Sequence, residues 1–236
     1  MAALGTYQTT LFALGRPAVV ADAAIQRITL DEFSWVDLGR NWLQGADELL
    51  ERLAAGLEWR SSRRPMYGRL VDEPRLHARL DLTDPQQASV VDAARAWLEA
   101  RYGGEIGHNF VNYYRDGDDA VAWHADRIGT RRIDPIVAIC SLGGPRRFGL
   151  RPMGGGESLR LTLGSGDLLV MGGACQHGWE HSVRPQAHAN PRMSLTFRHI
   201  VDNGDDIPGR RTFSVPTTNS RISATRPPSH HTSEIE

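Results

Sequence analysis

Residues 192–198 read Arg-Met-Ser-Leu-Thr-Phe-Arg, and this stretch decides the fold class. With a period of two, Arg192, Ser194, Thr196 and Arg198 fall on one face of a strand, and Met193, Leu195 and Phe197 fall on the other. In a closed two-sheet fold one of these faces must look inward. Flanking helices can cover the apolar face from outside, which places both guanidiniums inside the barrel. An unpaired buried charge costs several kcal/mol even after relaxation, so the two arginines need anions. The guanidinium fork matches a carboxylate bidentately, and a dicarboxylate would engage both.

Upstream of this strand the chain breaks into short β-like runs separated by Gly, Pro and Asp: 108–114, 120–124, 136–142, 148–151, 158–163 and 167–171, with the last strand extending over 193–200. Strands at intervals of roughly 8–12 residues with turn signals between them predict a sandwich or jelly roll rather than a parallel α/β sheet. Before them, Asp84-Pro85 opens a helix whose apolar face is Val90, Val91, Ala94, Trp97 and Leu98, and Gly103-Gly104 stops it. A second helical pattern runs from Asn41 to Leu57, and Ile28 to Phe33 alternates enough for a short strand. Trp59 to Leu80, with six arginines, Pro65 and Pro74, reads as a basic, irregular loop or hairpin. The expected organisation is an N-terminal extension over 1–104 packed on a core at 105–202. The Pro-, Ser- and Thr-rich stretch 203–236 is expected to be a disordered tail. The His230-His231 pair in that tail has no fixed geometry for a metal.

Trp123-His124-Ala125-Asp126 supplies an imidazole and a carboxylate two residues apart, which on a strand share a face. They are two-thirds of a two-histidine, one-carboxylate facial triad, the arrangement that leaves open positions on Fe(II). The third ligand must come from a distant strand, and Gln176-His177-Gly178-Trp179-Glu180-His181 offers two candidates. The start of the strand leaving the turn favours His181 over His177.

Composition narrows the chemistry. The 236 residues carry a net charge of −1, and all 27 basic residues are arginine. Without lysine, Schiff-base chemistry and a Walker-type phosphate site are excluded. Two cysteines, Cys140 and Cys175, form no zinc pattern and are expected to be buried thiols. The absence of a signal-like or membrane-length apolar run predicts a soluble, cytoplasmic protein with no membrane partner. The near-zero charge is uneven: residues 60–80 carry +4, 127–160 carry +5 and 184–198 carry +3, leaving −13 elsewhere.

These residues resemble the AlkB family of Fe(II)/2-oxoglutarate-dependent dioxygenases. His124-x-Asp126, His181-Ser182-Val183 and the closing Arg192-x5-Arg198 carry the likeness. Asn112-Tyr113-Tyr114, Ser141-Leu142-Gly143 with Arg146, Phe148 and Arg151, and Arg64-Pro65-Met66-Tyr67-Gly68 extend it over about residues 60 to 200. The resemblance implies a mainly β protein. Its core would be a double-stranded β-helix (a cupin-like jelly roll), with flanking helices and an N-terminal nucleotide-recognition lid. It assigns Fe(II) to His124, Asp126 and His181. The carboxylates of 2-oxoglutarate fall to Arg192 and Arg198, aided by Asn112, Tyr114, Ser194 and Thr196, with O2 as the other cosubstrate. Tyr67, Arg69 and Arg151 are the expected substrate contacts, and Arg63, Arg64, Arg146 and Arg147 the expected phosphate contacts. The implied activity is oxidative demethylation of N-alkylated bases in DNA, of the 1-methyladenine and 3-methylcytosine type, by a monomer. The alternatives are a demethylase of RNA or tRNA, or a hydroxylase of a protein or small molecule on the same scaffold. Two residues depart from the family pattern: Ser194 stands where Asn is common, and Arg127 follows the ligand pair where base-acting members usually carry an acid.

Overall fold

The computed structural model describes residues 15–66, 69–80, 82–126 and 134–200. Tyr67, Arg127 and the whole 203–236 stretch lie outside them. The first elements are β1 (Ala18–Val19), β2 (Ile25–Thr29), β3 (Ser34–Gly39), β4 (Leu43–Gln44) and α1 (Ala46–Gly56). A hairpin of β5 (Arg60–Met66) and β6 (Arg69–Ala78) follows, then α2 (Pro85–Tyr102). The remaining strands are β7 (Ile106–Tyr114), β8 (Val121–His124), β9 (Val137–Gly143), β10 (Arg146–Pro152), β11 (Leu159–Leu163) and β12 (Leu168–Gly173). After the short α3 (Cys175–Gly178) come β13 (Trp179–Val183) and β14 (Arg192–His199).

Two antiparallel sheets face each other, in the order β11-β10-β13-β8 and β2-β3-β12-β9-β14-β7-β6-β5. This is a jelly-roll core whose larger sheet is lengthened at both edges by N-terminal strands. Val137, Ile139, Leu169 and Met171 point between the sheets toward Phe148, Leu150 and Val183. Their alternate neighbours Ala138, Cys140, Leu142, Leu168 and Val170 point the other way, onto Leu49 and Leu53 of α1 and Val91, Ala94 and Leu98 of α2. Covered on both faces, β9 is buried at all seven positions, and that is why Val-Ala-Ile-Cys-Ser-Leu-Gly reads as a nearly continuous apolar run. Met193, Leu195 and Phe197 join the helix-covered cluster, so the polar face of β14 turns inward, as expected.

Pro85 takes the first position of α2, the Ala88 N–H bonds the Asp84 carbonyl at 2.9 Å, and Gly103 beyond its end sits at φ +69°, where a side chain would be strained. Both cysteines are buried free thiols. The N-terminal quarter differs from its sequence reading. The expected strand at 28–33 is the end of β2 plus a turn, in which Asp31 accepts the Phe33 N–H at 2.9 Å and β3 begins at Ser34. The acidic interruption that looked like a slip in one strand is the corner between two. The helix expected from Asn41 starts only at Ala46, because Trp42 and Leu43 are buried in the outer core from an extended segment.

Candidate active site

Between the sheets lies a cavity of about 320 Å³. One wall is built in cross-strand rows from β14, β7 and β6. Arg192 pairs with Tyr114 at the deep end, Ser194 with Asn112 and then His77 in the middle, and Thr196 with Phe110 at the mouth. Burial falls along that direction, from Arg192 at 1% exposed to Phe110 at 39%. The facing wall carries His181, Phe148, Val183 and Val121, with the Phe148 and His181 rings stacked at 5.5 Å.

His181 and His124 are register partners on β13 and β8, with ring centroids 4.2 Å apart. β8 ends at His124, so Asp126 lies just past the strand rather than on it, and its N–H is held by Gln176 Oε1 at 3.1 Å. A register shift between His181 and Val183 lets both Val121 and His124 face the cavity. One donor atom from each of His124, Asp126 and His181 lies within 4.8 Å of the other two. The Nδ1–H of His124 donates to the Ala122 carbonyl at 2.8 Å, which leaves Nε2 as the ring nitrogen available to a metal. Burial pushes His181 down to about 3 against the pull of Asp126, so its imidazole is neutral and able to ligate. Arg198 Nη2 donates to Asp126 Oδ1 at 2.7 Å, which orients the carboxylate.

At the deep end Arg192 donates from Nε to Ser141 Oγ at 3.1 Å and lies 5.1 Å from the Tyr114 ring centroid. Burial lowers its pKa. Among the described residues, Arg192 Nη1 and Arg198 Nε are buried without a hydrogen-bond partner. Two imidazoles and a carboxylate suit Fe(II), and two orphaned guanidinium nitrogens on one strand suit a dicarboxylate beside it. The residues present therefore fit both groups: the triad would hold the metal, and Arg198 and Arg192 would take the two ends of 2-oxoglutarate.

Residues 83–198 match the family model of the 2OG-Fe(II) oxygenase superfamily. Over 195 residues the chain is 30% identical to alpha-ketoglutarate-dependent dioxygenase alkB homolog 3 of Rattus norvegicus, covering 74% of this chain and 66% of that protein. This chain belongs to the AlkB family of 2OG-Fe(II) oxygenases. It is also 28% identical over 181 residues to DNA oxidative demethylase ALKBH2 of Bos taurus, covering 66% of this chain and 65% of that protein. The solved structure of OsALKBH1 aligns with a TM-score of 0.48 at 15% identity, over 74% of this chain and 100% of that one. The chain spans somewhat less than two thirds of the length of the alkB homolog 3 relatives it matches. Family membership implies Fe(II), 2-oxoglutarate and O2. No helix among the described residues is long and apolar enough to cross a membrane.

Within this AlkB-type site the structure brings together His124, Asp126, His181, Asn112, Tyr114, Arg192, Ser194, Thr196 and Arg198 around one cavity. It leaves His177 exposed on α3. Arg151 does not face the cavity. Phe148 and Leu150 point inward, so the period of two sends Arg151 to the outer face, where it pairs with Glu180 at 2.9 Å and stacks over Trp123 at 4.3 Å. Trp123 in turn is fitted against Gly149, where a Cβ would come within 2.8 Å of the indole. Arg146 is not a phosphate contact either. It is 1% exposed, and its guanidinium clamps the carbonyls of Asp116, Asp119 and Arg184 at 2.7–3.1 Å. Arg63 pairs with Asp72 at 2.8 Å on the hairpin, and Arg69 opens β6 in register with Met66.

Sequence reasoning missed Ser62, Glu73, Arg75, His77 and Phe110, which complete the cavity lining. Glu73, Arg75 and His77 alternate along β6, and that period of two was the available signal. Pro65 and Pro74 had marked the segment as irregular, yet proline is tolerated in this edge hairpin. The Pro74 carbonyl accepts the Ala120 N–H at 2.7 Å, tying the hairpin to the start of β8.

Proposed function

We propose that this chain is an Fe(II)- and 2-oxoglutarate-dependent dioxygenase that oxidatively demethylates N-alkylated nucleobases, with alkylated DNA of the 1-methyladenine and 3-methylcytosine type as substrate. One observation carries the reading. The triad and the two arginines with an unpartnered guanidinium nitrogen open onto a single cavity whose lining mixes polar edges (Ser62, Glu73, Arg75, His77) with an aromatic ring at the mouth, Phe110. A planar base with hydrogen-bonding edges suits such a mouth. The relatives named as a DNA oxidative demethylase and as an alpha-ketoglutarate-dependent dioxygenase support the same choice.

When bound, the metal with 2-oxoglutarate and O2 supplies oxidation of the N-methyl carbon; the products are succinate, CO2, formaldehyde and the repaired base. The chain's own residues supply order. Arg198 holds Asp126 in position, and Arg192, beside the Tyr114 ring, would hold the far end of the cosubstrate. Phe148, Ile139 and Val183 line the cavity with apolar surface, and excluding water there strengthens each charged contact inside. Because the triad lies inside the fold, a base must arrive extruded or single-stranded. Methylation at a pairing nitrogen lowers the cost of extrusion.

The test is formaldehyde and succinate release from matched DNA and RNA oligonucleotides carrying one 1-methyladenine or 3-methylcytosine. Stoichiometric release from DNA is expected. Faster release from RNA would move the substrate to RNA, and succinate without formaldehyde from either would refute a nucleobase substrate.

A further inference from the structure

Phe110 is out of place for a side chain that only lines a cosubstrate pocket. It closes the cavity's mouth-end row opposite Thr196, yet it is 39% exposed, unlike the buried members of the inner rows. An open phenyl ring at the rim of a polar cavity leaves apolar surface in water that a flat ligand would cover. Its surroundings say which kind of ligand. The Arg79 guanidinium stands 5.2 Å from the ring centroid, so the ring's π face already takes a planar cation. His77 flanks the adjacent row through Asn112. Arg198, two residues beyond Thr196 on β14, holds the metal-site carboxylate Asp126 at 2.7 Å. A planar heteroaromatic resting on Phe110 would therefore sit beside the triad with its edges toward polar side chains.

We propose that Phe110 is a substrate-positioning residue: the extruded alkylated base stacks on its ring at the cavity mouth. The proposal rests on the nucleobase reading above and adds to it the surface that holds the base. 1-Methyladenine and 3-methylcytosine are cationic, because the methyl adds to a nitrogen that carried a lone pair, and a cation over a phenyl face gains more than a neutral ring does. Phe110 is absent from the metal and cosubstrate sets, so its contribution falls on the base alone.

The experiment compares wild-type protein with Phe110→Ala, Phe110→Leu and Phe110→Trp on a single-stranded oligonucleotide bearing one 1-methyladenine. KM for the oligonucleotide, KM for 2-oxoglutarate and the thermal unfolding midpoint are measured for each. Removal of one base–aromatic stack predicts a rise of about tenfold in oligonucleotide KM for Phe110→Ala. Tryptophan should restore it and leucine should not, with KM for 2-oxoglutarate within about twofold throughout. Since position 110 is 39% exposed, the variants should fold, and a thermal unfolding midpoint close to that of the wild type confirms that they do. Leucine acting as well as phenylalanine, or an unchanged oligonucleotide KM in Phe110→Ala, would overturn the stack while leaving the nucleobase reading intact. A matching rise in KM for 2-oxoglutarate would also overturn it, by making the ring part of the cosubstrate wall. A wild-type protein that releases no formaldehyde from any oligonucleotide would sink the nucleobase reading and the platform together.

Discussion

Replacing Arg192 by methionine should make the ligand-free protein more stable and its hold on 2-oxoglutarate much weaker. Arg192 is 1% exposed, donates to Ser141 Oγ at 3.1 Å and has no partner for Nη1 among the described residues. Exchanging such a charge for a well-packed apolar side chain often stabilises by about 1–4 kcal/mol. Losing the bond to Ser141 costs about 1 kcal/mol, and methionine's flexible thioether can follow the space left behind. The balance favours the variant by about 1–2 kcal/mol. Cosubstrate binding moves the other way. Truncating one partner of a buried charged pair costs about 2–5 kcal/mol, so Kd for 2-oxoglutarate should rise about 100-fold. At 100 times the wild-type Kd, ligand stabilises the wild type by about 2.7 kcal/mol but such a variant by only about 0.4 kcal/mol. At about 2–4 °C per kcal/mol for a domain of this size, the ligand shift shrinks from about 5–10 °C to about 1 °C. Thermal unfolding with Mn(II) in place of Fe(II), with and without 2-oxoglutarate, reads both effects. A variant that is destabilised without ligand, or that keeps the full ligand shift, would refute the assignment of Arg192 as a buried charge awaiting a carboxylate.

Alanine at His181 should raise the metal Kd by about 100-fold or more in a titration, whereas alanine at the exposed His177 should leave it within about twofold. Arg151→Ala should leave oligonucleotide KM within about twofold, because its charge is spent on Glu180 and its plane on Trp123 outside the cavity. Burial by itself would raise the Asp119 carboxyl, but hydrogen bonds from the Arg115 N–H and guanidinium hold it below the ordinary aspartate value. Its stabilisation is therefore fully present above the ordinary value and is lost as pH falls below it through the lowered one. Asp119→Asn should cost about 1–2 kcal/mol in urea unfolding at pH 7, and the difference from wild type should shrink toward pH 3.

How far the site could be read before folding depended on whether its residues announced themselves locally. Arg192 to Arg198 did so, because strict alternation leaves only two faces, and the apolar one matches the helix stripe of Val91, Ala94 and Leu98. His124 and Asp126 did so through spacing, although the end of β8 at His124 means a turn held by Gln176, rather than strand geometry, aims the carboxylate. The β6 residues were obscured by prolines. Phe110 was hidden because nothing local distinguishes a ring at the rim of a sheet from one in its core. Arg146 and Arg151 sit in one strand with similar neighbours, yet one is buried under three carbonyls and the other lies on the outer face.

By itself the sequence determined which side chains share a face, where the long helix starts and stops, and which residues could serve as ligands and anion holders, since each follows from backbone periodicity and side-chain chemistry. Only the tertiary structure decided which face turns inward, that His181 rather than His177 meets His124, and that a hairpin from the N-terminal region walls the cavity. Those outcomes depend on pairing between strands far apart in the chain, where register and packing against a second layer set the neighbours. The near-zero net charge illustrates the difference. Among the described residues it hides arginines that the fold sends to opposite fates: Arg192 and Arg198 into a cavity suited to an anion, Arg146 to three buried carbonyls and Arg151 to Glu180 on the outer face.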